Sequence, residues 1–160
     1  MNSPASPLHF EDLAVGTKFR TNSVTVTEAE IIAFAQQFDP QPFHTDPVAA
    51  PNTVFGRLVA SGWHTAALTM RLMVLGEFKL AGGSIGLGIE KITWPEPVLP
   101  GDTLTVVSEV MTKRLSNSKP DRGLVTFLNT TYNQHERPVQ QMTSVQIVLC
   151  RPATATAGAP

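Results

Sequence analysis

The stretch Gly62-Trp63-His64-Thr65-Ala66-Ala67-Leu68-Thr69-Met70-Arg71-Leu72-Met73-Val74-Leu75-Gly76 decides the fold. Trp63, Ala66, Ala67, Met70, Leu72, Met73, Val74 and Leu75 leave little polar surface, and only His64, Thr65, Thr69 and Arg71 interrupt it. A helix apolar almost all round is a buried helix, so something must wrap it. The sequence that follows supplies the wrapping in four segments. Ile85, Leu87 and Ile89 alternate up to Trp94. Leu104, Val106 and Val110 alternate with Thr105, Ser108 and Glu109. Leu124 to Tyr132 and Val139 to Leu149 complete the set. Thr, Val, Ile and aromatic residues dominate, as in strands. Pro95-Glu96-Pro97 and Leu99-Pro100-Gly101-Asp102 separate the first two segments, Ser116 to Gly123 is a polar loop, and Asn133 to Arg137 is a short turn joining an antiparallel hairpin.

Upstream, a strand is expected from about Lys18 to Val26, then a helix. Thr27 and Glu30 form a capping-box pattern, in which each side chain satisfies a free backbone N–H. Ile31, Phe34, Ala35 and Phe38 follow as one apolar stripe at helical spacing. Pro40 stops the helix, because proline disfavours a helical residue before it. Asp39 therefore stands at the exit, in the loop Asp39-Pro40-Gln41-Pro42-Phe43-His44. Asp46-Pro47 reads as an N-cap and first residue of a short helix. Strands in a block, with helices segregated from them, indicate α+β: an antiparallel sheet wrapped around a long central helix. A single curved sheet leaves an edge strand unpaired, and pairing with a second copy is a common remedy.

The 160 residues, 42% of them hydrophobic, suffice for one domain over residues 9–152. Residues 1–8 are expected to be flexible and the low-complexity tail 153–160 disordered. Net charge is −1, and no basic run exceeds Lys113-Arg114. Neither a nucleic-acid footprint nor a membrane surface is indicated. A single cysteine, Cys150, rules out a disulfide framework. Met1 to Leu8 carries no signal-peptide pattern, so a cytoplasmic location is expected. Asn129-Thr130-Thr131 matches a glycosylation pattern but is read as chance within a strand.

Asp39 and His44 can hold one water between carboxylate and imidazole and move its proton. Equally, Asp39 can end a helix while His44 sits in a solvated loop. Metal ligation by His44 and Asp46, with His64 or His135, lacks ligand-like spacing. At Ala60-Ser61-Gly62 the free N–H groups of a helix start can polarise a carbonyl and stabilise a developing oxyanion. Ser61 can also simply cap the helix and Gly62 permit close packing. Trp63 is read as packing, and His64 as a hydrogen-bonded buried histidine. Ser61 lacks the Gly-x-Ser-x-Gly elbow of a nucleophile. Arg57 and Arg71 can meet phosphates or water.

The stretch Phe38 to Pro47 resembles the hydratase motif of the MaoC-like dehydratases, roughly Asp-x-Asn-Pro-x-His-x-Asp, a family that includes the (R)-specific enoyl-CoA hydratases. Phe55-Gly56-Arg57-Leu58-Val59-Ala60-Ser61-Gly62-Trp63 is similar to the family segment that opens its central helix. Trp94 to Asp102 resembles the family's following strand-turn, and Phe10 to Gly16 fits its opening. The resemblance runs in order from about Leu8 to Cys150. It implies a hot-dog fold and the reversible hydration of a trans-2-enoyl-CoA thioester, with Asp39 and His44 as the acid–base dyad and the Gly62 N–H binding the thioester oxygen. Ser61, Phe43, Trp63 and Gln41 would line the substrate. No cofactor or metal is implied, since CoA belongs to the substrate, and the expected assembly is a homodimer or a group of dimers. Ser61 stands where many relatives have His, Gln41 replaces the usual Asn, and Arg57 replaces a common Gly. A hot-dog acyl-CoA thioesterase and a non-catalytic acyl-CoA-binding protein are the competing readings.

Overall fold

The computed structural model describes residues 6–152. The expectations for residues 1–5 and 153–160 lie outside the described residues. Leu8, assigned by sequence to the flexible N-terminal segment, is paired instead: its N–H donates to Lys79 O, and its carbonyl accepts from Ala81 N, both at 2.8 Å.

Five antiparallel strands form one sheet: β1 (Lys18–Thr25), β2 (Ile85–Thr93), β3 (Thr103–Leu115), β4 (Arg122–Tyr132) and β5 (Pro138–Leu149). Their spatial order is β1-β3-β4-β5-β2. The helices are α1 (Glu28–Phe38), α2 (Pro42–Thr45) and α3 (Gly62–Leu75), with α3 packed against β1, β3 and β5. This is the α+β, hot-dog arrangement that the sequence predicts.

The capping box at Thr27 forms as read: Thr27 N–H reaches Glu30 Oε2 at 2.9 Å and Glu30 N–H reaches Thr27 Oγ1 at 3.2 Å. The α1 stripe is only partly used. Ile31 and Ala35 are buried, whereas Phe38 is exposed and leans on Phe34, ring centroids 5.0 Å apart. The short helix comes one step earlier than expected. Pro42, with its pre-set φ, opens α2, and Asp46 closes it rather than starting a helix. Asp46 Oδ1 then accepts from the N–H groups of Val48 and Ala49, shaping the turn that leads to a 3₁₀ turn at Ala50–Asn52.

Two further expectations are corrected. α3 is not buried all round: Leu72 and Met73 face the core, but Trp63, Met70, Val74 and Leu75 are exposed. In β2 the alternation of Ile85, Leu87 and Ile89 does not mark a buried face, for all three are exposed. β2 is an edge strand, and among the described residues only β5 pairs with it.

The inward residues form two apolar clusters. One joins Val26, Ile31, Leu72, Leu104, Val106 and Val139, and the other Phe10, Leu13, Val110, Val125, Phe127 and Val148. Ser108, grouped in the sequence with outward polar residues, shares the parity of Val106 and Val110 and is buried among the inward side chains. Among the described residues no helix is long and apolar enough to cross a membrane.

Candidate functional site

Three segments distant in sequence meet at the start of α3. Val59 is the junction. Its N–H donates to Phe43 O at 3.0 Å, while its carbonyl accepts from His44 Nδ1 at 2.7 Å. The next residue, Ala60, donates its N–H to Val98 O at 2.9 Å. The α2 turn, the extended chain before α3 and the Pro95–Val98 segment are thereby tied together.

The bond to Val59 orients the imidazole. A carbonyl can only accept, so Nδ1 carries a proton. Nε2 is thereby turned to Asp39 Oδ2 at 3.4 Å. His44 is buried, which removes the reading of a histidine in a solvated loop.

Asp39 caps the C-terminus of α1, its N–H bonded to Ala35 O at 2.9 Å. Its carboxylate is held from both sides. Gln41 Nε2 donates to Oδ1 and Ser61 Oγ donates to Oδ2, each at 2.7 Å. Burial is the largest single influence on this carboxyl and favours its neutral form. The two hydrogen bonds and nearby His44 together outweigh burial and leave the pKa below its ordinary value. Asp39 is therefore ionised at neutral pH.

Ser61 is fully buried and serves two elements: besides holding Asp39, its Oγ accepts the Trp63 N–H at 3.2 Å as the N-cap of α3. The neighbouring Gly62 N–H has no acceptor among the described residues. Gly62 also packs under an indole: a Cβ built there would lie 2.6 Å from Trp94 Cε2. The reading of Ser61 as a cap and of Gly62 as a close-packing residue holds, and the Gly62 N–H stays open beside it.

His44, Gly62, Thr65, Trp94 and Glu96 line one cleft of about 310 Å³. Phe43 and Phe55 stand at its side, Phe43 edge-on to the His44 ring with centroids 4.5 Å apart. Trp63 is half exposed and meets Trp94 edge to face at 5.6 Å. Gln41 reaches the site through its bond to Asp39.

His64 differs from its expectation. It is buried and stacked on Phe34 at 4.6 Å, but its Nδ1 has no hydrogen-bond partner among the described residues. Burial lowers its pKa, against a smaller opposing influence of Glu30. His135 lies in the β4–β5 turn, and among the described residues no three His, Cys, Asp or Glu side chains gather as a metal set.

Sequence reasoning had marked Trp94 and Glu96 only as part of a strand-turn. Trp94 roofs Gly62 and donates its indole N–H to Gln140 Oε1 at 2.9 Å, and Glu96 is paired with Arg137 at 2.6 Å. Their link to the site arises from pairing between β2 and β5, which no local pattern announces.

Comparison with known proteins identifies the fold's family. Residues 10–133 match the family model described as MaoC like domain. A MaoC-like dehydratase from Rhodospirillum rubrum superposes with a TM-score of 0.87 at 49% identity, covering 91% of this chain and 99% of that one. The (R)-specific enoyl-CoA hydratase of Aeromonas caviae is 36% identical over 121 residues, 75% of this chain and 86% of that protein. The uncharacterized protein YdeM of Bacillus subtilis is 32% identical over 129 residues, 81% of this chain and 90% of that protein. With its sheet, central helix and family match in agreement, the chain belongs to the MaoC-like domain family, a family of hydratases and dehydratases.

Proposed function

We propose that the protein catalyses the reversible hydration of a trans-2-enoyl-CoA to a 3-hydroxyacyl-CoA, with Asp39 and His44 as its acid–base dyad. The observation that carries this reading is that His44 and Gly62, with its open N–H, line one cleft, while the Asp39 carboxylate stands 3.4 Å from His44 Nε2 beside it. The name of the Aeromonas caviae relative supports the same substrate class.

The steps follow from these positions. A water held between Asp39 Oδ2 and His44 Nε2 is oriented by the carboxylate and gives its proton to Nε2. Its oxygen bonds to the β-carbon as the C=C π electrons move towards the thioester carbonyl. The resulting enolate oxygen is stabilised by the Gly62 N–H and the positive end of α3. Asp39 stabilises the imidazolium, which then returns its proton to the α-carbon. Oxygen and hydrogen have been added across the double bond, and the thioester remains intact. Phe43, Trp63 and Ser61 support the walls of this site, and Gln41 holds the carboxylate. Water is the co-substrate, and no step calls for a cofactor.

A homodimer fits the surface. β2 leaves one edge unpaired with Leu87 and Ile89 exposed, and α3 presents Met70 and Val74 beside it. A second copy covering both would remove an aggregation-prone edge. Assembly of such dimers and a cytoplasmic location belong to the same proposal.

The test is an absorbance assay of the conjugated enoyl thioester, run beside a thiol-release assay. Loss of the double bond without thiol release is expected. Thiol release would establish the thioesterase reading instead, and binding without turnover the non-catalytic one.

A further inference from the structure

The concave face of the sheet is apolar at both ends and polar in its middle. Between the two apolar clusters lie Ser108, Asn129, Ser144 and Gln146, all buried. They form a continuous row. Ser108 Oγ donates to Asn129 Oδ1 at 2.7 Å, and Asn129 Nδ2 donates to Ser144 Oγ at 3.1 Å. Gln146 Nε2 approaches the same Ser144 Oγ at 3.5 Å, while Gln146 Oε1 accepts from Ser84 Oγ at 2.9 Å. The Met142 carbonyl, 3.5 Å from Asn129 Nδ2, fixes the direction of the amide, because a carbonyl only accepts.

The consequence falls on Ser144. Its oxygen receives N–H donors from both sides, and its own O–H has no acceptor among the described residues. A buried donor left unpaired is costly, whereas apolar residues of similar shape would cost little. Packing alone does not account for such a row.

Two cavities flank it. One, of about 200 Å³, is bordered by Met73, Phe78, Lys79, Ser108 and Asn129. The other, of about 300 Å³, is bordered by Met70, Leu87, Met142 and Ser144. Ser84 and Gln146 line both. The Lys79 ammonium at the rim of the first donates to Val74 O at 2.8 Å and has hydrogens to spare.

The row stands at a defined reach from the dyad. Met70 and Met73 are eight and eleven residues along α3 from Gly62, or about 12 and 16 Å at helical rise. Along β5, Gln140 accepts the indole N–H of Trp94, which lines the dyad's cleft, and Ser144 follows four residues later on the same inward face. That step is about 13 Å at strand rise.

We propose that this row recognises an oxygen function, hydroxyl or carboxylate, at the far end of a medium-length acyl chain. The inference rests on the hydratase reading and names the substrate class for that site. The surplus donors (Ser144 O–H, the second Gln146 N–H and Lys79) call for an acceptor, and the methionine-rich walls suit the chain between.

The experiment compares trans-2-decenoyl-CoA with its ω-hydroxy and ω-carboxy counterparts on the full-length protein and on Ser144→Ala and Lys79→Met. The expected result is a kcat/KM at least about tenfold higher for one or both oxygenated substrates, a preference that Ser144→Ala largely erases. Loss of the preference for the ω-carboxy chain in Lys79→Met would assign the carboxylate, and an unaltered preference for the ω-hydroxy chain there would assign the hydroxyl. Lys79 is exposed, so this second variant stays informative if Ser144→Ala unfolds. Hydration of decenoyl-CoA with no gain for either oxygenated chain overturns the inference and leaves the hydratase reading standing, the row then holding water. Hydration of none of the three overturns both.

Discussion

Ser61 Oγ donates a 2.7 Å hydrogen bond to Asp39 Oδ2, the same carboxylate oxygen that faces His44 Nε2 at 3.4 Å. One small side chain therefore aims the carboxylate, favours its ionised form and starts α3. Ser61→Ala should lower kcat by about tenfold through the lost hydrogen bond to a charged group and cost about 1 kcal/mol as a lost cap. Steady-state kinetics and thermal melting measure the two effects separately. Full activity in the variant would show that Gln41 alone suffices to hold Asp39.

Asp39→Asn and His44→Gln should each reduce kcat at least ~100-fold, the usual scale for a lost acid–base group. Circular dichroism should show the fold intact, since neither side chain belongs to the apolar clusters. Activity retained in both variants would refute the dyad.

The pH dependence has a definite sign. Asp39 has a folded pKa below its ordinary value. The stability it contributes is fully present above the unfolded pKa, near 4, and is lost as pH falls through the lower folded value. The acid limb of the stability profile that Asp39 sets should therefore lie below the ordinary carboxylate range. In Ser61→Ala the limb should move upward, because the donor that opposes burial is gone.

His64 acts in a different window. Burial lowers its folded pKa. As pH falls below about 6.5, the unfolded chain takes up a proton that the folded chain refuses, and stability declines until the folded pKa is passed. The melting temperature should drop as pH falls below about 6.5, and His64→Phe should flatten that part of the curve. An unchanged slope in the variant would assign the decline to other groups.

Gly62→Ala tests the roof of the site. The new methyl would lie 2.6 Å from the Trp94 ring, which must shift and strain its bond to Gln140. Overpacking of this kind costs about 1–3 kcal/mol. A lower melting temperature, altered tryptophan fluorescence and impaired turnover are expected together. Normal stability and kinetics would mean that Trp94 moves freely.

Leu87→Lys on the exposed face of β2 should weaken self-association. Sedimentation velocity on the purified chain reads this directly. A monomeric wild-type protein would remove the proposed dimer.

Much of this molecule is legible in its sequence. Thr27 and Glu30 announced α1 because a capping box is local, and the alternation of Leu104, Val106 and Val110 announced β3 because strand parity is local too. The pair Asp39 and His44 could be named as candidates, but their orientation could not. That depends on Val59 O, fifteen residues beyond His44, and on Ser61, twenty-two beyond Asp39. Exposure failed in the same way: α3 and β2 look buried from composition, yet which of their faces the sheet covers depends on strand order.

By itself the sequence determined the elements, their class and the residue types available for chemistry, since propensity, capping and periodicity act within a few residues. Only the tertiary structure decided which imidazole nitrogen is free, which oxygen of Asp39 is held, and that a polar row crosses the core. Those outcomes rest on hydrogen bonds between groups far apart in the chain, and such partners meet only after the sheet has closed around α3.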